Sequence, residues 1–337
     1  MDLDNLANIT ESLQNATFIA VEKSPTNAQV RHAVITVIYF MGVIGNLSAL
    51  GFLYASSAAP KNLRHLLVLK CLAFNDLLAV VGMWIQMNLR TLIPSIARSQ
   101  WFCAFRVIWR CFGIGSGCIV CIMAIDRWIA LTRPLFYLKH MTLGTIKKSL
   151  LILWAINLLI VCSPLFGFGL YFENGRCVRY KMAVRTLDRV YALVYFSFGF
   201  LLCCSLILCN LSVMKNLSAP KQKKKVLVRR ISRNRDLTCS ASTYEELAFA
   251  RLMGVLCAVI IICWLPQLIT IPISQLYNET EWCKIFMNLG DLIYAVHFTL
   301  DPYFYILLRW TWFKSLCRKK VSSRGNSTKT TQELCSL

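Results

Sequence analysis

Charge is what this sequence has least of. Only 16% of its 337 residues are Asp, Glu, Lys or Arg, where soluble chains carry about 25%. Acids are scarcest, 16 against 37 Lys and Arg, for a net charge of +21. The four His, at 32, 65, 140 and 297, are scattered without metal-ligand spacing, so neither a catalytic constellation nor a cofactor is expected. There is no internal repeat, which argues against a transporter. Alternating segments of about 10 residues, the mark of a membrane β-barrel, are also missing.

What is there is apolar, with 57% hydrophobic residues and a mean hydropathy of +0.55. The apolar residues fall in blocks of about 20 or more, long enough to cross a bilayer as helices. Seven spans are expected, at Val30–Ala55, Leu66–Leu89, Phe102–Leu131, Ile146–Phe168, Val190–Met214, Ala248–Ile273 and Ile285–Leu308. The fold class is thus an all-α membrane protein, a seven-helix bundle. Residues 1–29 form an N-terminal segment, 30–309 the bundle and 310–337 a tail.

Position decides what the positive charge means. Lys215, Lys221, Lys223, Lys224, Lys225, Arg229, Arg230, Arg233 and Arg235 share one connector, and seven more Lys and Arg follow the last apolar block. Such excess marks the cytoplasmic side. No folded module presents a basic surface to nucleic acid. An odd number of spans then places Met1 outside. Asp2, Asp4, Glu11 and Glu22 face one Lys23 there, beside the sequons at Asn8 and Asn15; Asn278 lies in the last outer loop. The sequons at Asn46, Asn210, Asn216 and Asn326 fall in spans or cytoplasm and should stay unmodified. No cleaved signal peptide is expected, the first span serving as insertion signal. In residues 310–320, Trp312, Phe313, Leu316 and Cys317 share one face flanked by basic residues, which reads as a short amphipathic eighth helix at the membrane surface. Cys317 is either a palmitoylation site or a free interfacial thiol.

Of 16 Cys, only Cys103, Cys177 and Cys283 fall on the outer side of the membrane or at the outer ends of spans. A Cys103–Cys177 bridge would fix the second outer loop over the bundle mouth in an oxidising compartment; Cys283 has no assigned role. Within the spans, Asn46, Asp76, Asp126-Arg127 and Asp301 are costly and therefore functional candidates. Each alone is better explained by interhelical hydrogen bonding. Together, each at a set depth of a different span, they are a specific pattern.

Gly45-Asn46, Asn75-Asp76, Asp126-Arg127-Trp128, Trp154, Cys263-Trp264-Leu265-Pro266 and Asp301-Pro302-x-x-Tyr305 resemble the rhodopsin-like G-protein-coupled receptors over residues 30–320. That family usually has Asp-Arg-Tyr where Trp128 stands here. The resemblance implies an activation switch. Asp126 holds Arg127 at rest, Pro266 permits a kink in span six, and Trp264 senses ligand. Asn46, Asp76 and Asp301 share a polar pocket, commonly a sodium site near Asp76, with Pro302 and Tyr305 beside it. A ligand then acts by favouring the active arrangement. A light sensor would need a Lys in span seven, and 285–308 has none. An amine ligand is disfavoured because span three lacks an outer Asp.

A narrower resemblance is to prostanoid receptors, in Ser163-Pro-Leu-Phe-Gly-Phe-Gly-Leu-Tyr171, Leu300-Asp-Pro-Tyr-Phe-Tyr-Ile-Leu-Leu-Arg309 and a span five without proline. Gln275-Leu276-Tyr277 is most similar to the receptors for E-type prostaglandins. It implies a small lipid ligand, prostaglandin E2, and signalling through a heterotrimeric G protein to cyclic AMP or calcium; a different lipid or a peptide is the alternative. Two positions depart: the family's span-seven Arg, nine residues before the Asp, is Leu292, and the Trp before the loop Cys is Arg176. Arg106 and Arg110, one turn apart on span three, are candidate carboxylate partners, with Trp264 and Asp291 nearby, and the loop cations Arg176, Arg179, Lys181, Arg185 and Arg189 would also attract an anion. Arg110 reads equally as an internal partner of Asp291 or as snorkelling to the interface. Inside, residues 215–251 with Asp126-Arg127 would face G protein and anionic lipid. Ser232, Ser322, Ser323, Thr328, Thr330 and Thr331 are phosphorylation candidates for arrestin recruitment.

Overall fold

The computed structural model describes residues 25–55, 63–218, 239–277, 280, 282–283, 285–304 and 306. It is a helical bundle. Helices run over Pro25–Ala55, Leu63–Leu92, Gln100–Thr132, Leu143–Cys162, Thr186–Ser218 and Cys239–Leu276, and residues 285–304 are helical. These are spans one to seven. The first six are long and apolar enough to cross a membrane. Several extend past their apolar blocks, span six beginning nine residues before Ala248, because a backbone bonded within its own helix needs no apolar side chains at its ends. Span four stops short instead. Its α-helix ends at Cys162, and Ser163–Phe166 is a 3-10 turn. Pro164 cannot continue the ladder, and Gly167, at φ 90°, takes the left-handed conformation that ends the turn.

Span three is the hub, packing against spans two, four, five and six. Buried residues make up 72% of its apolar window against 17% for span four, which turns most of its surface to lipid. Leu151, Leu159, Leu201, Leu208 and Ile262 are among the large apolar side chains left exposed. Exposed aliphatic surface around a bundle's girth is expected where the solvent is hydrocarbon. Glycine makes two of the closest approaches possible. A Cβ on Gly82 would overlap the Trp109 ring, and one on Gly117 the Trp264 ring. Each indole therefore comes close against a neighbouring backbone that only glycine leaves open.

Loop two is ordered by its own turn chemistry. Phe172–Glu173 pairs antiparallel with Arg176–Cys177, and the intervening Asn174 and Gly175 have φ of 49° and 70°. Two positive φ values are what a tight hairpin requires, and Asn-Gly supplies them. The hairpin presents Cys177 to Cys103, and the two are disulfide-bonded. Cys283 is a buried free thiol.

Residues 1–24, 278 and 305 lie outside the described set, as do 310–320. Asn8, Asn15, Asn278, Tyr305, Cys317 and the expected eighth helix fall among them.

Candidate ligand pocket and switch

The bundle holds a cavity of about 260 Å³ lined by spans one, two, three, five, six and seven and by loop two. Its floor is Trp264, 2% exposed. The Trp264 indole N–H points to His297 Nε2 at 3.4 Å, and His297 Nδ1 lies 2.5 Å from the Tyr294 carbonyl. A carbonyl can only accept, so Nδ1 carries the proton and Nε2 is left as acceptor for the indole. Trp264 of span six is thereby tied to span seven. Pro266, two residues on, lies inside the same helix and lacks the N–H that would close the ladder.

The cavity walls are positive. Arg106, Arg110, Arg179 and Lys181 all line it, with Asp291 as the acid among the lining residues. Arg110 lies 4.8 Å over the Tyr180 ring, a contact worth about 0.5–2 kcal/mol. Its Nη1 is buried and has no hydrogen-bond partner. Asp291 is not held by Arg110. Lys181 Nζ approaches it at 3.2 Å and Arg179 Nη1 at 3.4 Å. A loop cation holds the acid instead: the 3-10 turn Tyr180–Met182 packs against spans five and six and brings Lys181 to Asp291 of span seven. That turn is stitched in place. The Lys181 carbonyl accepts from Ser274 Oγ and Gln275 Nε2, both at 2.8 Å, while its ammonium donates to Thr270 Oγ1 at 2.7 Å. Burial lowers the Lys181 pKa to about 8, and Asp291 opposes the fall. The Tyr180 hydroxyl is pushed well above its ordinary value, chiefly by burial.

Deeper, the polar residues of spans one, two, three and seven lie near one another. Asn46 donates to the Gly42 and Phe298 carbonyls at 3.0 Å, joining spans one and seven. Asn75 donates to the Phe112 carbonyl at 2.8 Å and to Asp76 at 3.2 Å. Asp76 lies beside Ser116 and Asp301, and both acids are fully buried. Asp76 Oδ2, both Asp301 oxygens, Asn75 Oδ1 and Ser116 Oγ lack partners. Buried oxygens without donors are costly. The set fits a hard monovalent cation such as sodium, which Asp76, Asp301 and Ser116 would hold and which would supply the missing positive charge.

At the far end of span three Arg127 is 2% exposed. Its Nη2 lies 2.5 Å from Asp126 Oδ2 and 2.7 Å from the Tyr137 hydroxyl. Tyr137, on the short helix Pro134–His140, is itself covered by the Arg64 guanidinium at 4.5 Å, and Arg64 donates to the Met141 carbonyl at 2.6 Å. His65 Nε2 stands 3.9 Å from Asp126. Trp128 donates its indole N–H to Ser212 of span five at 3.0 Å, so the departure from Tyr ties spans three and five. Pro302 lies where span seven passes closest to Gly45 of span one. Sequence reasoning singled out Asp126 and Arg127 but not Tyr137, His65 or His297, and it counted Lys181 only as one of several loop cations. Nothing in their spacing marks them, although Asn174-Gly175 could have announced the hairpin that positions Lys181.

Comparison with known proteins agrees with this geometry. The sequence pattern of the 7 transmembrane receptor (rhodopsin family) matches residues 45–305. The prostaglandin D2 receptor of Bos taurus is 28% identical over 84% of this chain and 87% of its own length. The human prostaglandin E2 receptor EP3 subtype is 22% identical over 87% of this chain and 81% of its own. Receptors named for D2 and for E2 are thus similar to it alike, and the resemblance is to prostanoid receptors as a group. The crystal structure of squid rhodopsin superposes with a TM-score of 0.69 at 18% identity, over 84% of this chain and 82% of that one. The chain is a membrane protein and a receptor rather than an enzyme; it belongs to the rhodopsin family of seven-transmembrane receptors.

Proposed function

We propose that this receptor sits in the plasma membrane with its N-terminus outside and answers a prostanoid-like acidic lipid. Prostaglandin E2 is the first candidate and prostaglandin D2 the second. The observation that supports it is the pair Arg106 and Arg110, facing the cavity above Trp264, with Arg110 Nη1 buried and unpartnered. A buried guanidinium lacking an acceptor is expensive, and a ligand carboxylate would satisfy it in bidentate fashion. Span seven has Leu292 where prostanoid receptors usually have their Arg, so the anchor moves to span three. A cavity of about 260 Å³ suits a small lipid better than a peptide.

The ligand's tail would bear on Trp264 and, through its bond to His297, bias spans six and seven together. Release of Arg127 from Asp126 and Tyr137 would then open the cytoplasmic end to a heterotrimeric G protein, raising or lowering cyclic AMP or raising calcium. Arrestin would follow phosphorylation of the tail, and Asn8, Asn15 and Asn278 would carry glycans. The test is a prostaglandin panel against an unrelated ligand library, in cells expressing the receptor, read as cyclic AMP and calcium. Arg110→Ala should weaken the active prostaglandin by more than about tenfold at unchanged surface expression. Unchanged potency would remove Arg110 from the site, and a response only to peptides would replace the reading.

A further inference from the structure

The mouth of the pocket holds four cations and one acid, and they do not share it equally. Asp291 is taken by Lys181 and Arg179, at 3.2 and 3.4 Å. Neither Arg106 nor Arg110 has an ion-pair partner among the described residues. The Lys181 side chain is 3% exposed and the Asp291 side chain 39%, so the acid is the more open member of the pair. Asp291 also stands one residue from Leu292, so span seven presents an acid beside the position where the resembling receptors present a base.

We propose that Asp291 is a built-in counter-anion that sets how much negative charge the pocket accepts. It engages both loop cations and leaves Arg106 and Arg110 as the unpaired cations that face the head group, so one negative charge is already in place before a ligand arrives. This rests on the acidic-lipid reading above and adds the charge class. A carboxylate is admitted and a phosphate monoester, which carries a second charge near neutral pH, is disfavoured. The physical reason is twofold. On the loop side both cations already face Asp291, and a second negative charge on the ligand meets that carboxylate, a like charge, in the same cavity. The shape of the pocket need not change for this selection, since Asn and Asp are nearly isosteric.

The experiment measures displacement of tritiated prostaglandin E2, and of tritiated prostaglandin D2 in parallel, from membranes bearing the full-length receptor. Competitors are the same prostaglandin and its analogue with a phosphate monoester in place of the carboxylate. The wild type should prefer the carboxylate at least about tenfold, and Asp291→Asn should reduce that preference at least about tenfold. Asn288→Asp, an isosteric added acid beside Arg179, which now donates to Asn288 Oδ1 at 3.0 Å, should strengthen it. That variant keeps the test alive if Asp291→Asn fails to reach the surface, because it leaves the Lys181–Asp291 pair intact. A preference unmoved in the variants that reach the surface overturns the counter-anion. If neither prostaglandin binds the wild type, the acidic-lipid reading itself has failed and the proposal goes with it.

Discussion

The two polar clusters of the bundle are opposites. At the mouth, four cations surround one acid; in the centre, Asp76 and Asp301 are buried with no ion pair among the described residues. Each is unbalanced, and each lies where water is scarce and imbalance is costly. The mouth is short of an anion and the centre short of a cation. Functional receptors have a reason to leave such deficits, since a partner that cancels one binds a particular arrangement of helices and stabilises it over others.

The largest expected effect reverses the sign at the mouth. Arg110→Glu should lower the potency of the active acidic lipid by at least about a hundredfold, measured as agonist-stimulated cyclic AMP or calcium with surface expression held constant. Equal potency would mean the mouth's charge has nothing to do with the ligand. Next comes the centre. Replacing sodium by choline in the assay buffer should change agonist affinity several-fold, roughly tenfold at most, and Asp76→Asn should abolish the difference. A sodium effect that survives Asp76→Asn would place the ion elsewhere. The smallest effect is at Lys181. With its pKa lowered to about 8, its ammonium is charged below that pH and neutral above. An acidic ligand feels one cation fewer as pH rises from 7 to 9, so affinity should fall about threefold or less. Lys181→Arg, charged throughout, should flatten that profile.

Much of this was readable before any coordinates. Block length set the number of helices, and charges inside apolar blocks marked Asp76, Asp126, Arg127 and Asp301 as functional candidates, because hydrocarbon tolerates them only with a purpose. The loop Cys, placed against the topology, pointed to Cys103 and Cys177. What stayed hidden depended on long-range approach. Lys181 looks in sequence like one more loop cation among Arg176, Arg179 and Arg185, yet it is 2% exposed. Its burial follows from a hairpin, a disulfide and three side chains of span six acting together. Tyr137 is one of 12 Tyr, and only the folded chain brings it to Arg127. One alternative for Arg110 gave way in an instructive manner: spacing along two helices allowed a pair with Asp291, but Lys181 and Arg179 of the loop hold that acid.

The stitching of loop two also fixes a timescale. Ser274 and Gln275 grip one carbonyl, Thr270 and Asp291 grip the ammonium of the same residue, and the disulfide anchors the other side. Were a ligand to enter along the bundle axis past Lys181, several of these bonds would have to break together, on the way in and again on the way out. Such a gate slows entry and exit alike and leaves affinity to the contacts inside. A receptor so closed should go on signalling after a brief pulse of its ligand has been washed away.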